Sequence, residues 1–357
     1  MKQIQPIVLP KDNGPHDFII EWWYFNGHLH DKAGNQYSFM DCFFKVNYDK
    51  VNIPHIIPHL IEDHFKKGEY IHFANSVISD ITNKKSYKEI QDISLVSDDS
   101  FKKELLYINY KNSNLVGDHL NSEIKEISQN NFIIKNKHLD LQLISNKKPL
   151  LEGGHGYIGT PDNGSYYYSL TDMRAKGKII IEGKEIEVEG DAWMDHQWAD
   201  STYKKDKWTW FSFNLENGTD IMCVEYDMHT AVNILVNMID KDGNQNQYIK
   251  ANIKHNERIF KSKKTKAEYP LSWKIEIPEA NMEISASALI EDQEMIAGQI
   301  NYWEGPIKVE AKINGETVNG KGFMELVGYP SDYNYLVLKG KEMEQNFLNK
   351  IRNFFRT

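Results

Sequence analysis

Apolar and polar residues alternate with a period of two over short runs, and Gly, Asn and Asp separate the runs. A strand turns successive side chains to opposite faces, so this pattern predicts antiparallel sheet. One hairpin runs from Trp22 to Leu29, turns at Asp31-Lys32-Ala33-Gly34 and returns from Gln36 to Phe44. A second joins 178–181 to 185–189 about Gly183-Lys184, and a third joins 208–215 to 221–226 about Asn217-Gly218. Further strands are expected near 133–144, 232–239, 273–277, 283–289, 307–313 and 322–326. Many short strands with regular turns predict an all-β chain built as barrels or sandwiches. Only the tail departs from this: Phe347, Leu348, Ile351, Phe354 and Phe355 recur at helical spacing between Lys350, Arg352 and Arg356. A short amphipathic C-terminal helix is therefore expected within 336–357. Docking of its apolar face on a barrel is the first reading, and peripheral contact with a membrane surface is the second.

A length of 357 residues implies two domains at about 150 residues each. The net charge of -9 argues against a surface that coats nucleic acid, which is normally basic. No run of 18 apolar residues occurs, so no spanning helix is expected. Met1–Asn13 lacks the apolar core of a signal peptide. The two cysteines, Cys42 and Cys223, stand far apart in apolar strand patterns and read as reduced buried thiols. Both observations point to a cytoplasmic protein.

The familiar catalytic motifs are missing: no Gly-x-Ser-x-Gly elbow, no phosphate-binding Gly loop and no His-Glu-x-x-His. His55, His59 and His64 are interrupted by Pro54 and Pro58 and read as loop residues, so no metal site is expected. What remains is aromatic residues, 12% of the chain, beside carboxylates. In the first hairpin Glu21, Trp23 and Phe25 share one face, while Trp22, Tyr24, Asn26 and His28 share the other, with Asp41 near Tyr24. In the third, a tight turn at Asn217-Gly218 sets Trp210 opposite Glu225 and Trp208 opposite Asp227. The other face then holds Thr209, Phe211, Phe213, Met222, Val224 and Tyr226. The stretch from Gly190 to Trp198 is the densest cluster of titratable and aromatic groups, with His196 and Trp198 on one side and Asp195 and Gln197 on the other. An Asp195–His196 hydrogen bond that locks a domain junction is its structural reading.

A carboxylic acid in an apolar pocket keeps its proton and can donate it. Indole and phenol faces stabilise a nearby cation. Together they suit protonation of an alkene and shelter of the carbocation. They suit equally the holding of a polyene in a reactive fold with no proton transfer.

The blocks 21–29 (Glu-Trp-Trp-Tyr-Phe-Asn-Gly-His-Leu), 166–171, 190–198 and 301–305 with 320–329 resemble, in order, those of the hydroxyneurosporene synthase or carotenoid 1,2-hydratase family. That family also includes kievitone hydratase and decalin-forming Diels–Alderases. The resemblance implies two tandem lipocalin-like antiparallel β-barrel domains, here 1–199 and 200–335, with no metal or organic cofactor. It implicates His196 and Trp198, with Asp227 as the acid and Glu225 second.

The leading expectation is a cofactor-independent hydratase acting on an isoprenoid or other hydrophobic polyene. Asp227 or Glu225 would protonate the alkene, and Asp195 with His196 would activate water. Trp198, Trp210 and Tyr24 would face the cation, and Glu21, Trp23, Asn26, Trp208 and Trp303 complete the expected substrate site. A pericyclic cyclase and a non-catalytic carrier of apolar ligands are the alternatives.

Overall fold

The computed structural model describes residues 4–47, 50, 70–91, 94–111, 121–160, 163–200, 207–227, 232–297 and 300–332. The expected tail helix and His55, His59 and His64 lie outside them. Among the described residues the regular secondary structure is antiparallel strand apart from three short 3-10 turns. Strands between Ile20 and Ala199 form one 13-stranded sheet; of those between Lys207 and Val327, ten form a second sheet and Ile259–Lys261 pairs with Glu268–Pro270 apart from it. Each sheet curls around its own apolar core, as in a lipocalin-like half-barrel. The first core holds Trp23, Phe25, Phe43 and Phe132, and the second holds Phe211, Phe213, Trp273 and Trp303.

The central strand of the first sheet, Ile20–His30, lies between Gln36–Asn47 and Lys184–Ala199. Its counterpart in the second, Lys207–Leu215, lies between Asp220–Asp227 and Glu316–Val327. These strands are buried on both faces, because the two curled sheets pack against each other along them. A third apolar cluster fills that seam, with Tyr24, Cys42, Tyr167, Trp193, Trp210 and Tyr302 among its members. Polar bonds cross it as well: Lys147 Nζ meets Asp220 at 2.6 Å, Lys321 Nζ meets Asp191 at 2.6 Å, and Asn75 donates to Tyr302 at 2.7 Å. Cys42 and Cys223 are both buried free thiols. No helix among the described residues is long and apolar enough to cross a membrane.

Both aromatic hairpins pair one residue away from the register expected from their turns. In the third hairpin Leu215 donates to the Thr219 carbonyl and Gly218 donates to that of Leu215, with Gly218 at φ +81°. The connection is therefore a three-residue loop with a left-handed glycine, not a two-residue turn. Trp208 consequently faces Tyr226, Trp210 faces Val224, and Glu225 and Asp227 pair with Thr209 and Lys207. Because side chains alternate, one residue of slip moves every partner to the opposite face. The first hairpin repeats the device, with Gly34 at φ +86° and bonds from Asp31 to Asn35 and from Gly34 to Asp31. Tyr24 pairs with Cys42, and Asp41 goes with Phe25 to the barrel interior instead of lying beside Tyr24.

Candidate active site

Direct cross-strand partners share a face of a sheet. Across the first sheet Asn75, Cys42, Tyr24, Asp195 and Ser169 are partners in series, all turned toward the seam. Across the second, Glu304, Glu325, Trp210 and Val224 form the matching row. Hydrogen bonds tie the two rows together. Tyr24 Oη donates to Glu304 Oε1 at 2.5 Å, and Trp210 Nε1 donates to the Tyr167 hydroxyl at 3.0 Å. Tyr167 in turn donates to Asp195 Oδ2 at 2.6 Å. Asp195 Oδ1 accepts from Trp193 Nε1 and Ser169 Oγ, both at 2.6 Å. Trp208 Nε1 donates to Glu325 Oε1 at 2.5 Å. The Tyr24 ring meets Trp210 edge-on, with centroids 5.7 Å apart. Tyr24, Asp195 and Glu304 are buried, whereas Glu325, Trp208, Tyr226 and Trp22 are half-buried and mark where the seam approaches solvent.

This arrangement collects carboxyl groups without counter-charge. No ion pair joins Asp195, Glu304 or Glu325 to a cation among the described residues. Burial is the main influence on each. It pushes Asp195 up to about 6 against the bonds from Ser169, Tyr167 and Trp193. It pushes Glu304 well above the carboxylate range, and the charge of Glu325 adds to the effect. Glu325 is also raised by burial, against the bonds from Trp208 and Glu304. Two adjacent buried carboxyls do not both ionise, so the pair retains a proton. Each accepts one donor, Tyr24 on Glu304 and Trp208 on Glu325, and the deeper burial of Glu304 favours the proton there. The seam thus offers an acid, a carboxylate with three donors, and the faces of Trp208, Trp210 and Tyr24.

His196 lies elsewhere. Asp195 and His196 are adjacent, so they occupy opposite faces and do not act together as expected. His196 points into the first barrel, where its Nε2 meets Glu21 Oε1 at 3.0 Å and His16 Nδ1 meets the same oxygen at 2.8 Å. Lys45 Nζ sits 3.2 Å from Glu21 Oε2. Trp198 stacks on His16 at 3.8 Å and Trp23 stacks on His196 at 4.9 Å. Burial opposes ionisation of Glu21, but bonds from His16 and His196 and the nearby positive charge outweigh it and hold the carboxyl at about 2. Burial holds His196 down at about 4 against its bond to Glu21, so the imidazole is neutral near pH 7. His16, Glu21 and His196 present donor atoms within 4.8 Å of one another, a set able to ligate a metal. The Lys45 ammonium already answers the Glu21 charge, and the three groups close on one another by hydrogen bonds.

The remaining expected residues divide. Asn26 faces the seam beside Tyr24, while Glu21, Trp23 and Trp198 belong to the barrel interior. Trp303 is fully buried in the second core and donates to the Glu291 carbonyl at 2.7 Å, on the opposite face from Glu304. Glu225 and Asp227 share no face with an indole of their hairpin. The carboxyl groups that lie beside indoles on the seam face are Glu304, which stood at the margin of the expected site, and Glu325, which was missing from it. Their signal was present: each interrupts an apolar run, Tyr302-Trp303-Glu304 and Phe323-Met324-Glu325-Leu326-Val327. Ser169 and Tyr167 carried no comparable mark.

The profile of the AttH-like family matches residues 1–329. The chain is 24% identical over 205 residues to the dehydratase asqC of Emericella nidulans, covering 54% of this chain and 58% of that relative, a little over half its length. A solved structure from Nitrosomonas europaea that carries the AttH designation superposes with a TM-score of 0.69 at 24% identity, covering 91% of this chain and 98% of that one. Kievitone hydratase from Nectria haematococca superposes with a TM-score of 0.68 at 14% identity, covering 90% and 93%.

Proposed function

Because the chain belongs to the AttH-like family, and on the strength of the seam's carboxyl groups, we propose that it is a hydro-lyase. It adds or removes water at a carbon–carbon double bond of an apolar substrate held between the half-barrels. One observation carries this reading: Glu304 and Glu325 stand as direct cross-strand partners facing Tyr24 and Asp195, with indoles beside them and no cation paired to them among the described residues. In the addition direction Glu304 gives its proton to one alkene carbon. The faces of Tyr24, Trp208 and Trp210 meet the positive charge that develops. Water attacks the neighbouring carbon, and the Asp195 carboxylate takes the proton that water releases. Removal of water is the reverse and starts from the state that addition leaves, with Asp195 protonated and Glu304 ionised: Asp195 protonates the departing hydroxyl and Glu304 takes the proton from carbon. Every proton has a donor and an acceptor within the chain. The likeness to proteins named dehydratase and hydratase supports the reaction class. The apolar seam supports an isoprenoid or polyene substrate.

The test is turnover of an acyclic carotene or another terminal isoprenoid in heavy-oxygen water. The wild type incorporates the label, and Glu304→Gln loses about 100-fold or more in rate, the size expected for a general acid. Asp227→Asn, outside the seam cluster, keeps its rate. Unlabelled cyclised product would mean a cyclase, and ligand recovered unchanged would mean a carrier. Undiminished turnover in Glu304→Gln would remove Glu304 from the mechanism.

A further inference from the structure

Behind Asp195 lies a second buried carboxyl that the proposed steps do not use. Glu152 opens the short turn Glu152–Gly154, next to the Leu150–Leu151 strand that pairs with Ser169 and Tyr168. Its side chain is fully buried. Ser169 Oγ stands 2.9 Å from Glu152 Oε1 and 2.6 Å from Asp195 Oδ1. A hydroxyl has one proton and cannot donate to both. If it donates to Asp195, the Glu152 oxygen 2.9 Å away must itself carry a proton and donate to Ser169.

The donor count decides which carboxyl is the acid. Asp195 accepts from Trp193, Tyr167 and Ser169 together, the environment of an ionised carboxylate. Glu152 has Ser169 and a weaker approach from the Asn237 side chain, and its Oε2 is buried without a close hydrogen bond among the described residues. An ionised Glu152 would be a buried charge beside a second carboxylate, with no ion pair to a cation among the described residues to offset it. Burial and the Asp195 charge accordingly push Glu152 well above the carboxylate range.

We propose that Glu152, Ser169 and Asp195 form a proton relay in which Glu152 stores the proton that Asp195 delivers. The Glu152 Oε1–H and Ser169 Oγ–H bonds break as new Ser169 Oγ–H and Asp195 Oδ1–H bonds form. Ser169 ends unchanged, Glu152 becomes a carboxylate and Asp195 becomes the acid. This inference rests on the hydro-lyase reading: removal of water needs a proton on Asp195, which is ionised near pH 7, and Glu152 is its source. Each removal of water leaves a proton on Glu304 and none on Glu152; Glu304 loses its proton to solvent and solvent returns one to Glu152, which closes the cycle. Glu152 acts through Asp195 and is a positioning residue, not a catalytic one.

Difference infrared spectroscopy of the full chain near pH 7 tests this without a substrate. Wild type minus Glu152→Gln shows the loss of one carboxylic acid C=O band, with the far-ultraviolet circular dichroism unchanged because a Gln amide can still donate to Ser169. Ser169→Ala leaves that band present but moves it, since the acid proton has lost its acceptor. If Glu152→Gln removes no band, or if the band ignores Ser169→Ala, the relay is overturned. Should Glu152→Gln fail to fold, the Ser169→Ala shift decides alone. Wild type minus Glu304→Gln is run beside them. Its band reports on the proposed acid and is independent of Glu152, so loss of one assignment leaves the other standing.

Discussion

Replacing Asp41 by Asn should stabilise the protein near neutral pH and do little in acid. Asp41 is fully buried inside the first barrel, where Oδ1 accepts from Asn136 Nδ2 at 3.1 Å and Oδ2 has no partner among the described residues. Burial pushes its carboxyl to about 8, against the weaker pull of Ser76 and Asn136. The ordinary value is 3.8, so between those limits the native state keeps a proton that the unfolded chain releases. Stability contributed by Asp41 is therefore lost as pH rises from about 4 to about 8. Each unit is about 1.4 kcal/mol, which puts the cost of keeping Asp41 protonated at pH 7 near 4 kcal/mol. Asparagine has the same shape, keeps the bond from Asn136 through its own oxygen, and has nothing to ionise. Urea unfolding should then show Asp41→Asn more stable than wild type by about 4 kcal/mol at pH 7, and within about 1 kcal/mol of it at pH 4. The same difference at both pH values would mean that Asp41 is not buried as an acid. The barrel register that puts it opposite Phe25 would then be wrong.

Tyr24→Phe should cost about 1–3 kcal/mol in denaturant unfolding, because it removes a buried bond between the half-barrels and leaves Glu304 Oε1 without its donor. Unchanged stability would mean that Tyr24 and Glu304 do not hold the seam. On the acid side, His196 and His28 are each held at about 4 by burial, so the unfolded chain takes up protons that the native state refuses as pH falls from about 6.5. Each therefore removes about 3 kcal/mol of stability between pH 6.5 and 4, and Glu21, held at about 2, removes a comparable amount between 4.5 and 2. Unfolding followed across pH should show His196→Asn flattening the first limb. An unaltered slope would refute the buried neutral imidazole.

Strand content and face assignment were legible because alternation is a local property. Glu21 with Trp23 and Phe25, and His196 with Trp198, fall on the faces that periodicity assigns. Register was not legible, because it depends on the loop. Asp31-Lys32-Ala33-Gly34 and Asn217-Gly218 announce turns, but only the left-handed Gly34 and Gly218 and the carbonyls they answer fix the number of connecting residues. A single residue then put Val224 instead of Glu225 opposite Trp210, and the carboxyl beside that indole, Glu325, comes from the strand on its other side. The rows across the seam come from strands far apart in the chain, such as Tyr24 and Glu304, and no local pattern pairs them.

Counter-charge separates the two buried polar clusters and decides which of them can move protons. In the first barrel Glu21 has Lys45 and two imidazoles around it, so it is ionised at every ordinary pH and its contacts are those of a fixed structural pair. A group held at about 2 neither gives nor takes a proton near pH 7. In the seam the balance is reversed: burial raises Asp195 to about 6 and Glu304 well above its usual range, with no ion pair to a cation among the described residues. General acid–base chemistry needs groups whose protonation changes near the working pH. The block around His196 shapes the barrel. The opposite face of that strand, through Asp195, brings a carboxyl to the seam.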